Sequence, residues 1–398
     1  MSARLGAAAW LDALSTRRPL LLAPGAQNGW FGGRALLAFD PVAEGVLDGN
    51  GDEALNEAGT VLERALSADA PTIAVALLPY SGDARWAVYQ RGFERVGERW
   101  LAWGARSDAG WPEPPAFVET GASPATTRLA TATSTGLSEG AFCSAVEAVR
   151  EAILDGDVYV LNLTRTVRAR TSLTAAELFS ALCDRAPARM AAAWLPAEAP
   201  AILSASPERF VRMRGREIEI APVKGTRPRG GSPTEDAAFA EQLVACEKER
   251  AEHVMVVDLE RNDLGRVCVP GSIRVDPLRA VETIGYCHQM VSSVRGVLRP
   301  DASVGDVLRA TFPCGSVTGA PKIAAMRIAE QLESGARGIY TGALVVAMPG
   351  ELDASVLIRT AHLDDAEVTY GTGCGITVDS DPTLEWNESV LKTQPLLA

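Results

Sequence analysis

Apolar positions along this chain follow two rhythms. In the first hundred residues short apolar runs, Leu20–Leu22, 35–39 and Ile73–Leu78, read as strands, and Asp52–Leu66 reads as a helix. A stretch rich in Pro, Gly, Ser, Thr and Ala follows over 104–136. It includes Trp111-Pro-Glu-Pro-Pro and predicts a long connection between lobes. Beyond it the pattern sharpens. Residues 138–154 carry apolar positions near helical spacing, with Ser138 placed to cap and Gly156-Asp157 to stop the helix. Residues 158–167 alternate as a strand does, and 210–213 with 217–220 predict a hairpin turning at Gly215. One long helix is predicted over 235–257. From 339 to 370, strand-like runs broken at Pro349-Gly350 and Asp364-Asp365 predict a β-meander. Strands cluster instead of alternating strictly with helices, so the pattern predicts an α+β fold without internal repeats.

Composition narrows the class. At 398 residues, 47% hydrophobic and 22% charged, the chain can bury a large core and is not a disordered protein. A net charge of −12 argues against a broad nucleic-acid surface, although a local cationic pocket for a small anion stays open. Seven cysteines without a C-x-x-C pair, and only three histidines, argue against a disulfide framework and a zinc centre. No apolar stretch approaches the ~20 residues that span a bilayer. The start is a poor signal peptide, so a cytoplasmic location and no membrane partner are expected.

Several residue groups could carry chemistry. Glu249 and Glu252 lie three apart on a predicted helix, and Glu385 and Glu388 repeat that spacing after the helix start at Asp381-Pro382. Two such pairs on separate helices could hold one hard divalent cation; alone, each pair is equally a solvated helix face. Lys224 stands in Ala221-Pro-Val-Lys-Gly-Thr-Arg-Pro-Arg229, where nearby arginines could lower its pKa for nucleophilic work. Glu208 stands at the start of the hairpin and could face the same cavity, though each also reads as an exposed strand-end charge. The glycine-rich pieces Gly315-Ser-Val-Thr-Gly-Ala-Pro-Lys322 and Gly371-Thr-Gly-Cys-Gly375 match neither the Walker nor the dinucleotide pattern, but both expose backbone N–H groups to an anion.

These pieces occur in a telling order. Ser206-Pro-Glu-Arg-Phe210, Pro222-Val-Lys-Gly-Thr-Arg-Pro-Arg229, Glu252-His-Val-Met-Val-Val-Asp-Leu-Glu-Arg-Asn-Asp-Leu-Gly-Arg266 and Gly315–Lys322 come first. Ile358-Arg-Thr360, Gly371–Gly375 and Asp379-Ser-Asp-Pro382 with Glu385 and Glu388 follow. Together they resemble the chorismate-utilising enzymes, which include component I of anthranilate synthase and of aminodeoxychorismate synthase, and the isochorismate and salicylate synthases. The resemblance is strong over 138–395, the expected chorismate-binding catalytic domain, and loose over 1–130, the expected N-terminal lobe. It implies large antiparallel β-sheets packed face to face with helices outside.

The resemblance also implies roles. Mg2+ would be held directly by Glu252 and Glu388, with Glu249 and Glu385 acting through water, and would clamp one carboxylate of chorismate near Lys392. Arg359 would pair with the enolpyruvyl carboxylate, helped by Tyr340 and backbone N–H groups around Thr372, Gly373 and Gly375; a guanidinium fork suits a carboxylate. Thr318 and His288 would line the ring and its leaving hydroxyl. Glu208 would be the acid/base near C4. Lys224 points to the branch, because aminodeoxychorismate synthases resemble Pro-Ile-Lys-Gly-Thr here and anthranilate synthases carry Ala instead. Two departures bear on the same choice. Val160 stands where the family usually has Gln, or Lys in the water-using synthases, which disfavours water addition; the feedback motif of anthranilate synthases is not evident near Leu21-Leu-Ala-Pro24. Cys314 and Cys374, at places where Gly is common, read as packing changes. Ammonia would come from a separate glutamine amidotransferase subunit, and release of 4-aminobenzoate would need another enzyme.

Overall fold

The computed structural model describes residues 9–23, 29–97, 99–104, 111–112, 128–284 and 287–397. Among them, eleven strands form one antiparallel sheet. Its path runs Gly319–Ala320, Val160–Arg170, Glu367–Ile376, Thr360–Asp364, Ala201–Ser206, Met190–Trp194, Leu20–Leu22, Leu36–Ala38, Arg91–Val96, Arg99–Gly104. Thr131–Thr135 also pairs with Val160–Arg170. A second sheet of nine strands is ordered Arg274–Val275, Val294–Val297, Glu217–Ala221, Arg209–Arg214, Glu351–Val356, Ala343–Met348, Ile73–Leu78, Ala84–Tyr89, Ala43–Leu47. A small sheet joins Val223–Pro228, Cys287–Val291 and Ala280–Ile284.

Strand alternation explains how the large sheets stack. Leu20, Leu22, Ala192 and Trp194 of the first sheet meet Val75, Leu77, Leu344 and Val346 of the second in one buried core. The intervening residues point outward and are covered by helices. Leu21, Leu37, Ala193 and Leu203 pack with Leu178 and Leu182 of helix Ala175–Arg185. Ala74, Ala76, Val345 and Ala347 pack with helices Asp52–Leu66 and Val304–Thr311. A strand covered on both faces needs apolar residues at every position, which is why Ile73–Leu78 is a continuous apolar run, buried throughout. The fold is thus α+β, with face-to-face antiparallel sheets and helices outside. Strands from residues 20–104 extend both large sheets beside strands from 160–376.

Two expectations need correction. The predicted helix over 235–257 is two helices, Pro233–Ala245 and Glu247–Gly265, separated at Cys246, whose ψ of 108° is extended. Apolar periodicity cannot register a one-residue break when helix resumes at once. The expected connection over 104–136 lies outside the described residues at 105–110 and 113–127, and its end, Thr131–Thr135, is a strand. Ser138 does cap its helix, accepting from the Ala141 N–H.

Candidate active site

A cavity of about 920 Å³ opens where the small sheet meets the strands Val160–Arg170 and Glu367–Ile376. Lys224 enters it from Val223–Pro228, where the pairing with Cys287–Val291 slips by one residue between Lys224 and Thr226. Gly225 makes that bulge with φ of +68°, a conformation glycine adopts without penalty. A Cβ there would come within 2.9 Å of a Glu249 carboxylate oxygen, so the missing side chain lets the glutamate helix close on the bulge. The Lys224 ammonium donates to the Ser316 carbonyl at 3.0 Å.

Glu208 lies at the junction of Ala201–Ser206 and Arg209–Arg214, is buried in the cavity wall, and its Oε1 has no hydrogen-bond partner among the described residues. Burial raises its carboxyl above the ordinary range; hydrogen bonding from Ser316 and the Val223 backbone, and the charges of Lys224 and Arg189, oppose the rise without cancelling it. A carboxyl whose pKa is raised beside a lysine is the kind of group that proton donation to a leaving group requires.

Carboxylates gather along another wall. Glu249 and Glu252 come from the start of helix Glu247–Gly265, and Glu385 and Glu388 from helix Pro382–Leu391. Asp381 caps the latter helix through the Leu384 N–H, with Pro382 at its first position. Glu249 pairs with Arg227 at 3.3 Å, Glu388 with Lys392 at 2.7 Å, and Glu385 accepts from the Ser380 hydroxyl at 2.7 Å. Ligand atoms of Glu385, Glu388 and the Cys374 thiol lie within 4.8 Å of one another, a candidate metal-coordinating cluster. Carboxylate oxygens suit a hard divalent cation. The thiol, by contrast, donates to the Glu385 carbonyl at 3.2 Å, and burial raises its pKa.

The remaining wall is cationic and rich in backbone N–H groups. Arg359 lines it with φ of +50°, unusual for a non-glycine residue, in a backbone fixed by a 3.0 Å bond from the Ala205 N–H to its carbonyl. Tyr340 lies flat on Gly371, where a Cβ would sit 2.0 Å from its ring. Thr372, Gly373 and Gly375 line the same wall, and Lys392 reaches the Gly373 carbonyl at 2.8 Å.

Two expected residues stand apart. Thr318 is buried and donates to the carbonyls of Cys314 and Gly315. His288 is buried on the far side of its strand, bonded to Asp236 and Thr283 at 2.9 Å each. The next residue, Gln289, lines the cavity instead, with a buried Oε1 that has no partner among the described residues. Neighbouring residues of a strand face opposite ways, so a displacement of one position exchanges a wall residue for a hidden one. Alternation says that only one of the two faces the cavity; the pairing with Val223–Pro228 decides which.

Comparison with known proteins identifies the family. A family profile described as chorismate binding enzyme matches residues 77–398. Over 254 residues the chain is 44% identical to aminodeoxychorismate synthase of Streptomyces griseus, covering 63% of this chain and 35% of that protein. It is 38% identical over 255 residues to aminodeoxychorismate synthase component 1 of Bacillus subtilis (64% and 54% covered). To anthranilate synthase component 1 of Aquifex aeolicus it is 40% identical over 253 residues (63% and 51%). The matched part spans about a third to a half of these relatives. In fold the chain is similar to anthranilate synthase component I of Streptococcus pneumoniae, with a TM-score of 0.76 at 24% identity over 91% of this chain and 92% of that one. It is similar also to the menaquinone-specific isochorismate synthase of Escherichia coli, with a TM-score of 0.75 at 19% identity over 98% and 90%. The chain belongs to the chorismate-binding enzymes, the family that includes the anthranilate and aminodeoxychorismate synthases.

Proposed function

We propose that the protein is an aminodeoxychorismate synthase component I, which replaces the C4 hydroxyl of chorismate with an amino group. The observation that carries this reading is Lys224 in the same cavity as the buried, pKa-raised Glu208. The neutral Lys224 amine adds to C2, the ring double bonds shift, and the C4 hydroxyl leaves as water with the proton of Glu208. Ammonia then adds at C4, the shift reverses, and the C2–N bond to Lys224 breaks. Chorismate and ammonia yield 4-amino-4-deoxychorismate and water, with the enolpyruvyl group retained.

Arg359 and Tyr340, with the backbone around Thr372, Gly373 and Gly375, hold the enolpyruvyl carboxylate in this reading, and Lys392 stands by the ring carboxylate. Glu252 and Glu388, backed by Glu249 and Glu385, would hold Mg2+, which would supply positive charge to fix the ring carboxylate. In this reading residues 138–395 are the catalytic domain and 1–130 an N-terminal lobe. Ammonia comes from a glutamine amidotransferase subunit, in the cytoplasm, and the product serves 4-aminobenzoate and folate supply.

The test is product identification by mass spectrometry after incubation with chorismate, Mg2+ and an ammonium salt. A product retaining the enolpyruvyl group, and converted to 4-aminobenzoate by an added lyase, supports the reading. Anthranilate with released pyruvate would instead make the chain an anthranilate synthase component I, as the similarity to the Aquifex protein allows.

A further inference from the structure

A second buried carboxyl lies behind the cavity wall, and the amination uses it in no step. Glu260, on helix Glu247–Gly265, has no exposed surface. Its Oε1 accepts from the Gly315 N–H at 3.1 Å and from the Cys314 thiol at 3.5 Å, while Oε2 has no partner among the described residues. The Cys314 sulfur lies 3.3 Å from the Ser316 hydroxyl. Ser316 faces the cavity from the same short turn, Gly315–Val317. Its carbonyl takes the Lys224 ammonium at 3.0 Å, and its hydroxyl bonds to Glu208. One turn is therefore gripped from behind by Glu260 and presents both functional groups of Ser316 in front.

We propose that Glu260 is a positioning residue for the amination: by holding Gly315 and Cys314, it fixes the Ser316 carbonyl and hydroxyl against Lys224 and Glu208. The inference rests on the proposed roles of those two residues. Burial is the main influence on Glu260 and, with the charges of Asp263 and Glu208, pushes its carboxyl up to about 8; Lys322 and the Cys314 hydrogen bond act the other way. Asp263 itself is paired with Lys322 at 2.5 Å and with Arg266 at 2.7 Å. A neutral Glu260 adds no second negative charge beside Glu208 at neutral pH. It also makes glutamine a close mimic, since a carboxamide keeps the acceptor oxygen in the same place.

The experiment compares Glu260→Leu, Glu260→Ala and Glu260→Gln in the full chain near pH 7, with chorismate, Mg2+ and ammonium. Loss of the acceptor should lower kcat by ~10–100-fold with KM for chorismate within ~3-fold, the signature of misplaced reacting groups rather than lost binding. Glu260→Gln should restore kcat to within ~3-fold of wild type. Glu260→Leu fills the volume without an acceptor and decides the matter should the alanine variant fail to fold. A folded Glu260→Leu with kcat within ~2-fold of wild type overturns the proposal, as does a glutamine variant no faster than the leucine one. Lys224→Ala and Glu208→Gln, run alongside, separate the two failures. If both match wild type, the amination reading fails; if both are slow while the Glu260 variants are not, only this inference falls.

Discussion

Glu208→Gln exchanges a fully buried carboxyl for an isostere that cannot give up a proton, and the structure fixes the direction of two separate effects. In the folded chain burial is the largest influence and leaves the carboxyl pKa above its ordinary value, despite Ser316, the Val223 backbone, Lys224 and Arg189. The folded protein therefore binds more protons than the unfolded chain between the unfolded pKa, about 4.3, and the raised folded one. Wild-type stability falls as pH rises through that window. Glutamine does not ionise, so the variant escapes this loss and gains stability relative to wild type with rising pH. Activity moves the opposite way. A missing general acid costs ~10²–10⁴ in rate, which is ~3–5 kcal/mol on the barrier at about 1.4 kcal/mol per decade. The assays are kcat at saturating chorismate and ammonium, and urea unfolding at a series of pH values rising from the unfolded pKa. A variant within ~10-fold of wild-type kcat refutes the acid role. A variant whose relative stability falls as pH rises refutes the burial argument.

Other perturbations have equally definite outcomes. Lys224→Ala should slow amination by on the order of 10²-fold or more while calorimetric chorismate binding stays within a few fold, because the amine is asked for chemistry and not for affinity. Glu252→Ala should abolish Mg2+-dependent turnover; chelation should do the same to wild type, with full recovery on adding Mg2+ back. Gln289→Leu removes a buried acceptor that has no protein partner. It should leave unfolding unchanged or slightly more costly, yet lower kcat/KM by ~5–100-fold, the value of ~1–3 kcal/mol for a lost hydrogen bond to substrate or ammonia. Asp353→Ala breaks a buried pair in which Arg209 donates at 2.7 and 3.1 Å and the Phe31 N–H at 2.8 Å. Taking the carboxylate away from that buried guanidinium should cost ~3–5 kcal/mol in urea unfolding.

What the sequence disclosed followed from where physical signals are strong. Helix Asp52–Leu66 and strand Ile73–Leu78 were readable because apolar positions at helical spacing and continuous burial leave plain patterns. Met190–Trp194 and Ala201–Ser206, which join the early and late strands of the larger sheet, were not. They are rich in alanine and serine, poor strand formers in isolation, and are held by pairing on both sides and by burial. Twelve of the fourteen expected site residues line the cavity. They do so because motifs fix local geometry: the Gly225 bulge aims Lys224, and the Asp381-Pro382 start sets the phase of Glu385 and Glu388. His288 and Gln289 could not be told apart that way, since a strand's inner face is decided by tertiary pairing, here Lys224 opposite Met290 and Thr226 opposite Gln289.

The same scaffold overlays an anthranilate synthase and an isochorismate synthase almost equally well, so the fold does not choose the chemistry. The choice has to be made within a few ångströms of the substrate. A Cβ on Gly375 would stand 3.8 Å from the Lys224 amine and 3.9 Å from both a Glu252 oxygen and the Val160 side chain. An amine, a carboxylate and an apolar group thus surround one glycine. Val160 contributes no proton acceptor at that point, and its side chain is buried between the strands. A water entering there finds no base on Val160 to activate it, whereas the Lys224 amine already carries its own lone pair once deprotonated. In the proposed reading, Val160 withholds a base and Lys224 supplies an amine beside the same glycine, and both features favour nitrogen over oxygen as the nucleophile.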